Sequence, residues 1–146
     1  ALCVFVYFGV ISANSELDLW NAAAKGDLPY VKKDITRATN LNWKNPDYYG
    51  QTAVHQASHG NHPDVVIALL DAGVDKNSLD NLLQTPIYTA SVYGSLEVVN
   101  TLIHHGADPN IQAINGRIPL MEATLTGHIG IVEALIRAHA NLGISD

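Results

Sequence analysis

The chain repeats itself, and that limits its fold more than any other feature. QTAVHQASHGNHPDVVIALLDAGVDKN from Gln51, QTPIYTASVYGSLEVVNTLIHHGADPN from Gln84 and RIPLMEATLTGHIGIVEALIRAHANLG from Arg117 align with a step of 33 residues. Ala57, Ala90 and Ala123 keep that register, as do Leu69, Leu102 and Leu135. A more degenerate copy, LDLWNAAAKGDLPYVKKDITRATNLN, starts at Leu17, 35 residues before Thr52. Two extra residues are therefore expected in NWKNPD, between Asn42 and Asp47. A unit of this length cannot bury its own apolar stripe, so stability has to come from stacking neighbours.

Each unit reads as two short helices. Thr52 and Thr85 suit the N-cap of the first, and Pro86 and Pro119 suit its first turn. Small pairs follow (Ala57-Ser58, Ala90-Ser91, Ala123-Thr124), allowing neighbouring helices to approach closely. The Val-Val-x-x-Leu-Leu spacing of the second helix lays one apolar stripe on the core. Gly94 and Gly127 turn the chain between the helices, and Asn61 stands in for that glycine in its own unit. The fold class expected is all-α: a solenoid of four units, about 16–46, 47–79, 80–112 and 113–146, preceded by an apolar segment at 1–15.

TPIYTASVYGSLEVVNTLIHHGADPN, from Thr85 to Asn110, resembles the ankyrin repeat, with its Thr-Pro-Leu-His, Gly-His, Val-Val, Leu-Leu and Gly-Ala-Asp-x-Asn pattern. The match runs from about Leu17 to the C-terminus. It implies a stack of helix pairs with a β-turn finger projecting at each junction. The family histidine survives only at His55; Trp20, Tyr88 and Met121 replace it elsewhere. The Thr–His tie is thus expected in the second unit alone. Ile118 removes a helix cap, at a cost of roughly 1 kcal/mol. The last helix keeps Ile131, Val132, Leu135 and Ile136, which would suit a further neighbour downstream. Leu83 falls where Gly50 and Gly116 sit, so the finger around it is expected to bend rather than hold leucine at positive φ. Replacement of Leu83 by glycine is then expected to stabilise the array.

Composition narrows the functional classes. Eight Lys and Arg against fourteen Asp and Glu give a net charge of −6 with no basic cluster, which argues against nucleic acid and anionic membrane surfaces as partners. The single cysteine, Cys3, excludes an intramolecular disulfide and a cysteine-based zinc site. That usage fits a reducing, cytoplasmic setting. ALCVFVYFGVI, residues 1–11, is too short to span a bilayer. It reads either as the apolar part of a signal peptide or as a segment covering the open end of the stack. His62 and His128 match the family's Gly-His position and His55 its Thr-Pro-Leu-His position, so all three read as structural. No nucleophile elbow, Walker loop or His-Glu-x-x-His is present. The expectation is a non-catalytic chain with no metal and no cofactor.

The resemblance implies a partner site on the finger tips and on the concave face of each first helix. Carried over residue by residue, the tips are Tyr48, Tyr49, Leu82 and Ile114, with Arg117 beside them and Trp43 in the inserted linker. The helix positions are His59, Val92, Tyr93 and Leu125. Tyrosine and tryptophan are typical interface anchors, and the expected partner is a protein. The alternative is a structural array docking on neighbouring domains of a longer chain. LNWKNPDYYGQTAVHQASHGN, Leu41 to Asn61, resembles the start of the ankyrin array in some GTPase-activating proteins for ADP-ribosylation factors, without their four-Cys zinc module.

Overall fold

The computed structural model describes residues 15–138. The apolar run at 1–11, Cys3 and the degenerate ending after Ala138 lie outside the described residues. Within them the chain forms eight α-helices and no strand. They are α1 (15–25), α2 (Leu28–Ile35), α3 (Ala53–His59), α4 (Pro63–Asp71), α5 (Pro86–Tyr93), α6 (Leu96–His104), α7 (Pro119–Thr126) and α8 (Ile129–Arg137). Consecutive helices pair within a unit, α3 on α4, α5 on α6 and α7 on α8. Units then stack in two layers, with α3, α5 and α7 in one and α2, α4, α6 and α8 in the other.

The periodic residues explain this arrangement. Val65, Val66 and Leu69 on α4, Val98, Val99 and Leu102 on α6, and Ile131 and Leu135 on α8 are all buried in one continuous core. Ala57, Ala90 and Ala123 are fully buried where the first helices meet. A larger side chain there would overpack the contact, at about 1–3 kcal/mol. The Thr85 hydroxyl accepts from the Tyr88 N–H (3.2 Å) and caps α5. Ile118, at the same place before α7, makes no side-chain cap. Asn61 adopts φ 55°, matching Gly94 and Gly127 at 77°, so asparagine does substitute for glycine in that turn.

Hydrogen bonds also tie each unit to the next. The position of the family histidine repeats as Trp20, His55 and Tyr88, and each donates across a unit boundary. Trp20 Nε1–H reaches the Gln51 carbonyl (3.0 Å), His55 Nε2–H the Gln84 carbonyl (2.9 Å), and the Tyr88 hydroxyl the Glu122 carboxylate (2.8 Å). Only His55 also bonds back within its unit, with Nδ1 accepting from the Thr52 N–H (3.2 Å). His62 and His128 make a second set of ties, through Nε2 to the Ala24 carbonyl (3.3 Å) and the Val92 carbonyl (3.2 Å) of the preceding units.

Three fingers project between units: Asn45–Gln51, Asp80–Gln84 and Ala113–Arg117. Each is closed by the N–H of its first residue to the carbonyl of its last, at 3.0, 3.1 and 2.9 Å. The first is two residues longer than the others, so the insertion lies inside that finger, beyond Asn45. It forms a 3₁₀ turn, Pro46–Tyr48, followed by Tyr49 at φ 54°.

The expected bend at Leu83 is absent. Leu83 holds φ 57°, close to Gly50 at 68° and Gly116 at 76°. Its finger is held by a set of bonds on Asp80. Oδ1 accepts from the N–H groups of Leu82 and Gln84 (both 2.9 Å), and the Asp80 carbonyl accepts from the Leu83 N–H (3.1 Å). Together these outweigh the strain of a left-handed leucine, which bending would have avoided.

Candidate functional site

The fingers form a bonded row. Asn81 N–H donates to the Tyr49 carbonyl (2.8 Å) and Ile114 N–H to the Leu82 carbonyl (2.9 Å), so each finger is fixed against the next. Backbone bonds of this kind set side chains at regular steps along one edge of the array. On that edge Tyr48, Tyr49, Leu82, Leu83 and Ile114 are exposed. Tyr93 and Leu125, at the ends of α5 and α7, are exposed as well, while Val92 and Trp43 are half-buried.

Several of the expected contact residues are braced from behind. The Tyr48 ring lies 4.7 Å from that of Trp20, tilted by 46°. Trp20 is buried and already held by its bond to Gln51, so it makes a rigid support. His59 and Tyr93 meet edge to face at 4.1 Å, joining the ends of α3 and α5. Aromatic pairs of this geometry contribute roughly 0.5–1.5 kcal/mol beyond their area. Trp43 stands apart from these pairs, in the turn closed by its N–H to the Asn40 carbonyl (3.2 Å).

Arg117 is tied into a polar cluster. Its Nη1 lies 3.1 Å from Glu122 Oε1, the oxygen that also accepts from the Tyr88 hydroxyl. Asn115 Nδ2 donates to the same hydroxyl (3.2 Å). Burial works to raise the Glu122 pKa, but the hydrogen bonds from Tyr88 and Arg117 outweigh it and hold the carboxyl below its ordinary range. Burial pushes the Tyr88 hydroxyl up, keeping it a donor. The pair leaves little net charge at this end of the row. α3 and α5 carry no Asp, Glu, Lys or Arg.

Sequence reasoning missed two contributors. Leu83 stands out in the sequence only as a backbone problem, yet its side chain is exposed on the finger. Trp20 looks like a lost histidine in the sequence, although its register, 35 residues before His55, sets it behind the first finger. Among the described residues no group of three His, Cys, Asp or Glu side chains is placed to hold a metal ion. No helix among them is long and apolar enough to cross a membrane.

Two family models match the chain. Residues 19–113 match the model for ankyrin repeats in three copies, and residues 115–146 match the single ankyrin repeat. Comparison with curated proteins gives no match. Ankyrin repeats are in general non-catalytic protein–protein interaction modules. Helix pairs in two layers, the finger at each junction and the matched span together place this chain in the ankyrin-repeat family.

Proposed function

We propose that the chain is a non-catalytic interaction module that binds a protein partner along its finger tips and the adjoining ends of α3, α5 and α7. One observation carries this reading: Tyr49, Leu82 and Ile114 are exposed on fingers bonded into one row, and α3 and α5 hold no Asp, Glu, Lys or Arg. Single exposed apolar residues are ordinary, but a row of them is characteristic of an interface. The partner segment presents an apolar face, because a charged group placed there would lose water without gaining a counter-ion.

Tyr49 and Tyr93 are the central anchors, and His59, Val92, Leu82 and Ile114 complete the contact. Arg117 and Trp43 lie at its margins. The test is recovery of binding partners from a lysate with the wild-type chain and with Tyr49→Ala/Tyr93→Ala. The wild type recovers partners that the double variant does not, with the helical circular-dichroism signal unchanged. Equal recovery by the two proteins would show that binding takes place elsewhere.

A further inference from the structure

Of the chain's asparagines only Asn115 is followed by glycine. The pair sits on the finger Ala113–Arg117, and both residues are exposed. Asn115 has the register of Tyr49 and Leu82, which stay 67% and 39% exposed although a further unit stacks beside each. Exposure at this position is therefore a property of the finger itself. The Asn115 side chain is also held in place. Its Oδ1 accepts from the Arg117 N–H (3.0 Å), and its Nδ2 donates to the Tyr88 hydroxyl (3.2 Å) and to Glu122 Oε1 (3.5 Å).

We propose that Asn115–Gly116 is a site of spontaneous deamidation, which turns a neutral side chain of the finger into a carboxylate with water as the only co-reactant. The Gly116 amide nitrogen gives its proton to solvent and attacks Asn115 Cγ. The new N–Cγ bond closes a cyclic succinimide, and the Cγ–Nδ2 bond breaks to release ammonia. Water then opens the ring at either carbonyl, leaving aspartate or its iso form, whose backbone runs through the former side chain. Glycine permits the attack because a Cβ on the next residue would crowd the close approach. The Arg117 N–H favours it by drawing electrons from the Asn115 side-chain carbonyl. Against this, the Gly116 N–H is held by the Ala113 carbonyl (2.8 Å), so the finger has to open locally before the nitrogen is free. The reaction is therefore slower in the folded chain than in the unfolded one. Either product disturbs the same contacts. A carboxylate no longer donates to Tyr88, and it stands beside Glu122, where like charges repel. The iso form also adds an atom to the backbone of the finger and puts its closing bonds out of register. The cost of this charge to a partner on the finger row rests on the function proposed above; the chemistry does not.

Mass spectrometry of proteolytic peptides from the folded chain, aged at neutral and mildly alkaline pH, tests this. Asn115 converts before any other asparagine between Ser15 and Ala138, and several-fold more slowly than in urea. The rate rises with pH, as attack by a deprotonated nitrogen requires. Asn115→Asp, which carries the product charge, unfolds at lower urea than Asn115→Ser, which loses the bond to Tyr88 without gaining a charge. The gap between these variants closes in acid, as the carboxyl groups take up protons. Neither readout involves a partner, so both stand apart from the binding test. No conversion at Asn115 in the folded chain overturns the proposal, as does earlier conversion of another asparagine in that span. Equal stability of the two variants at neutral pH also overturns it, because the product charge would then leave Glu122 undisturbed.

Discussion

Leu83 offers a direct measurement of what one left-handed residue costs the array. It is held at φ 57° where the neighbouring fingers have glycine, and its side chain is 45% exposed. Three terms act on substitution. A left-handed non-glycine residue costs roughly 1–2 kcal/mol, which glycine would recover. Glycine also frees the unfolded chain, giving back about 0.4–1 kcal/mol. Full burial of leucine contributes about 1.5–3 kcal/mol, so losing this half-buried side chain costs roughly 1 kcal/mol. Leu83→Gly therefore comes out near neutral, not stabilising as the sequence alone suggests, because the side-chain term offsets the backbone term. Leu83→Ala keeps the strain and loses the packing, so it destabilises by roughly 1 kcal/mol. The informative quantity is the difference between the two variants, from which side-chain packing largely cancels. The glycine variant is expected to be more stable than the alanine variant by about 0.5–1 kcal/mol, measured by urea unfolding with equal slopes. An alanine variant as stable as the glycine variant would refute the reasoning. Leu83 would then not occupy the left-handed region in solution.

Two further predictions concern protons. Glu16 Oε1 accepts from the Thr39 hydroxyl (2.6 Å) and the Thr39 and Asn40 N–H groups (3.1 and 3.3 Å), tying α1 to the turn that ends the first unit. The bonds from Thr39 and Ser15 hold its pKa down at about 2 against an ordinary 4.5. A carboxylate depressed on folding contributes stability above about pH 4.5 and loses it as the pH falls towards 2. Glu16→Gln should flatten the acid limb of a stability–pH profile, and an unchanged limb would show that this tie is absent. His55 is fully buried, and its burial lowers the pKa below the usual 6.5. The unfolded chain takes up this proton first, so stability falls as the pH drops below about 6.5. In NMR titration the His55 ring signals should hold still across pH 6.5. A midpoint at or above 6.5 would contradict the neutral ring that the Thr52 and Gln84 bonds require.

The solenoid was legible because its determinants are periodic. Val65 predicts Val98, Val98 predicts Ile131, and a stripe recurring on one helix face has few ways to be buried. The fingers were less legible, because their conformation is decided by competition between terms of similar size. Leu83 shows this best. Its intrinsic preference favours a bend, but the bonds on Asp80 and the link from Ile114 to Leu82 belong to neighbouring residues and act together. Arg117 makes the same point for the binding face. Its sequence position places it beside the tips, yet whether its charge is free depends on Glu122 and Tyr88, which come from α7 and α5. The repeat fixes which residues lie along the finger edge. Which of them are free to bind depends on contacts between units, and a reading one unit at a time does not contain those. Trp20 and Tyr88 look like losses when each is compared with the family histidine alone. Across the unit boundary they are substitutes, since each still delivers one donor to the next unit.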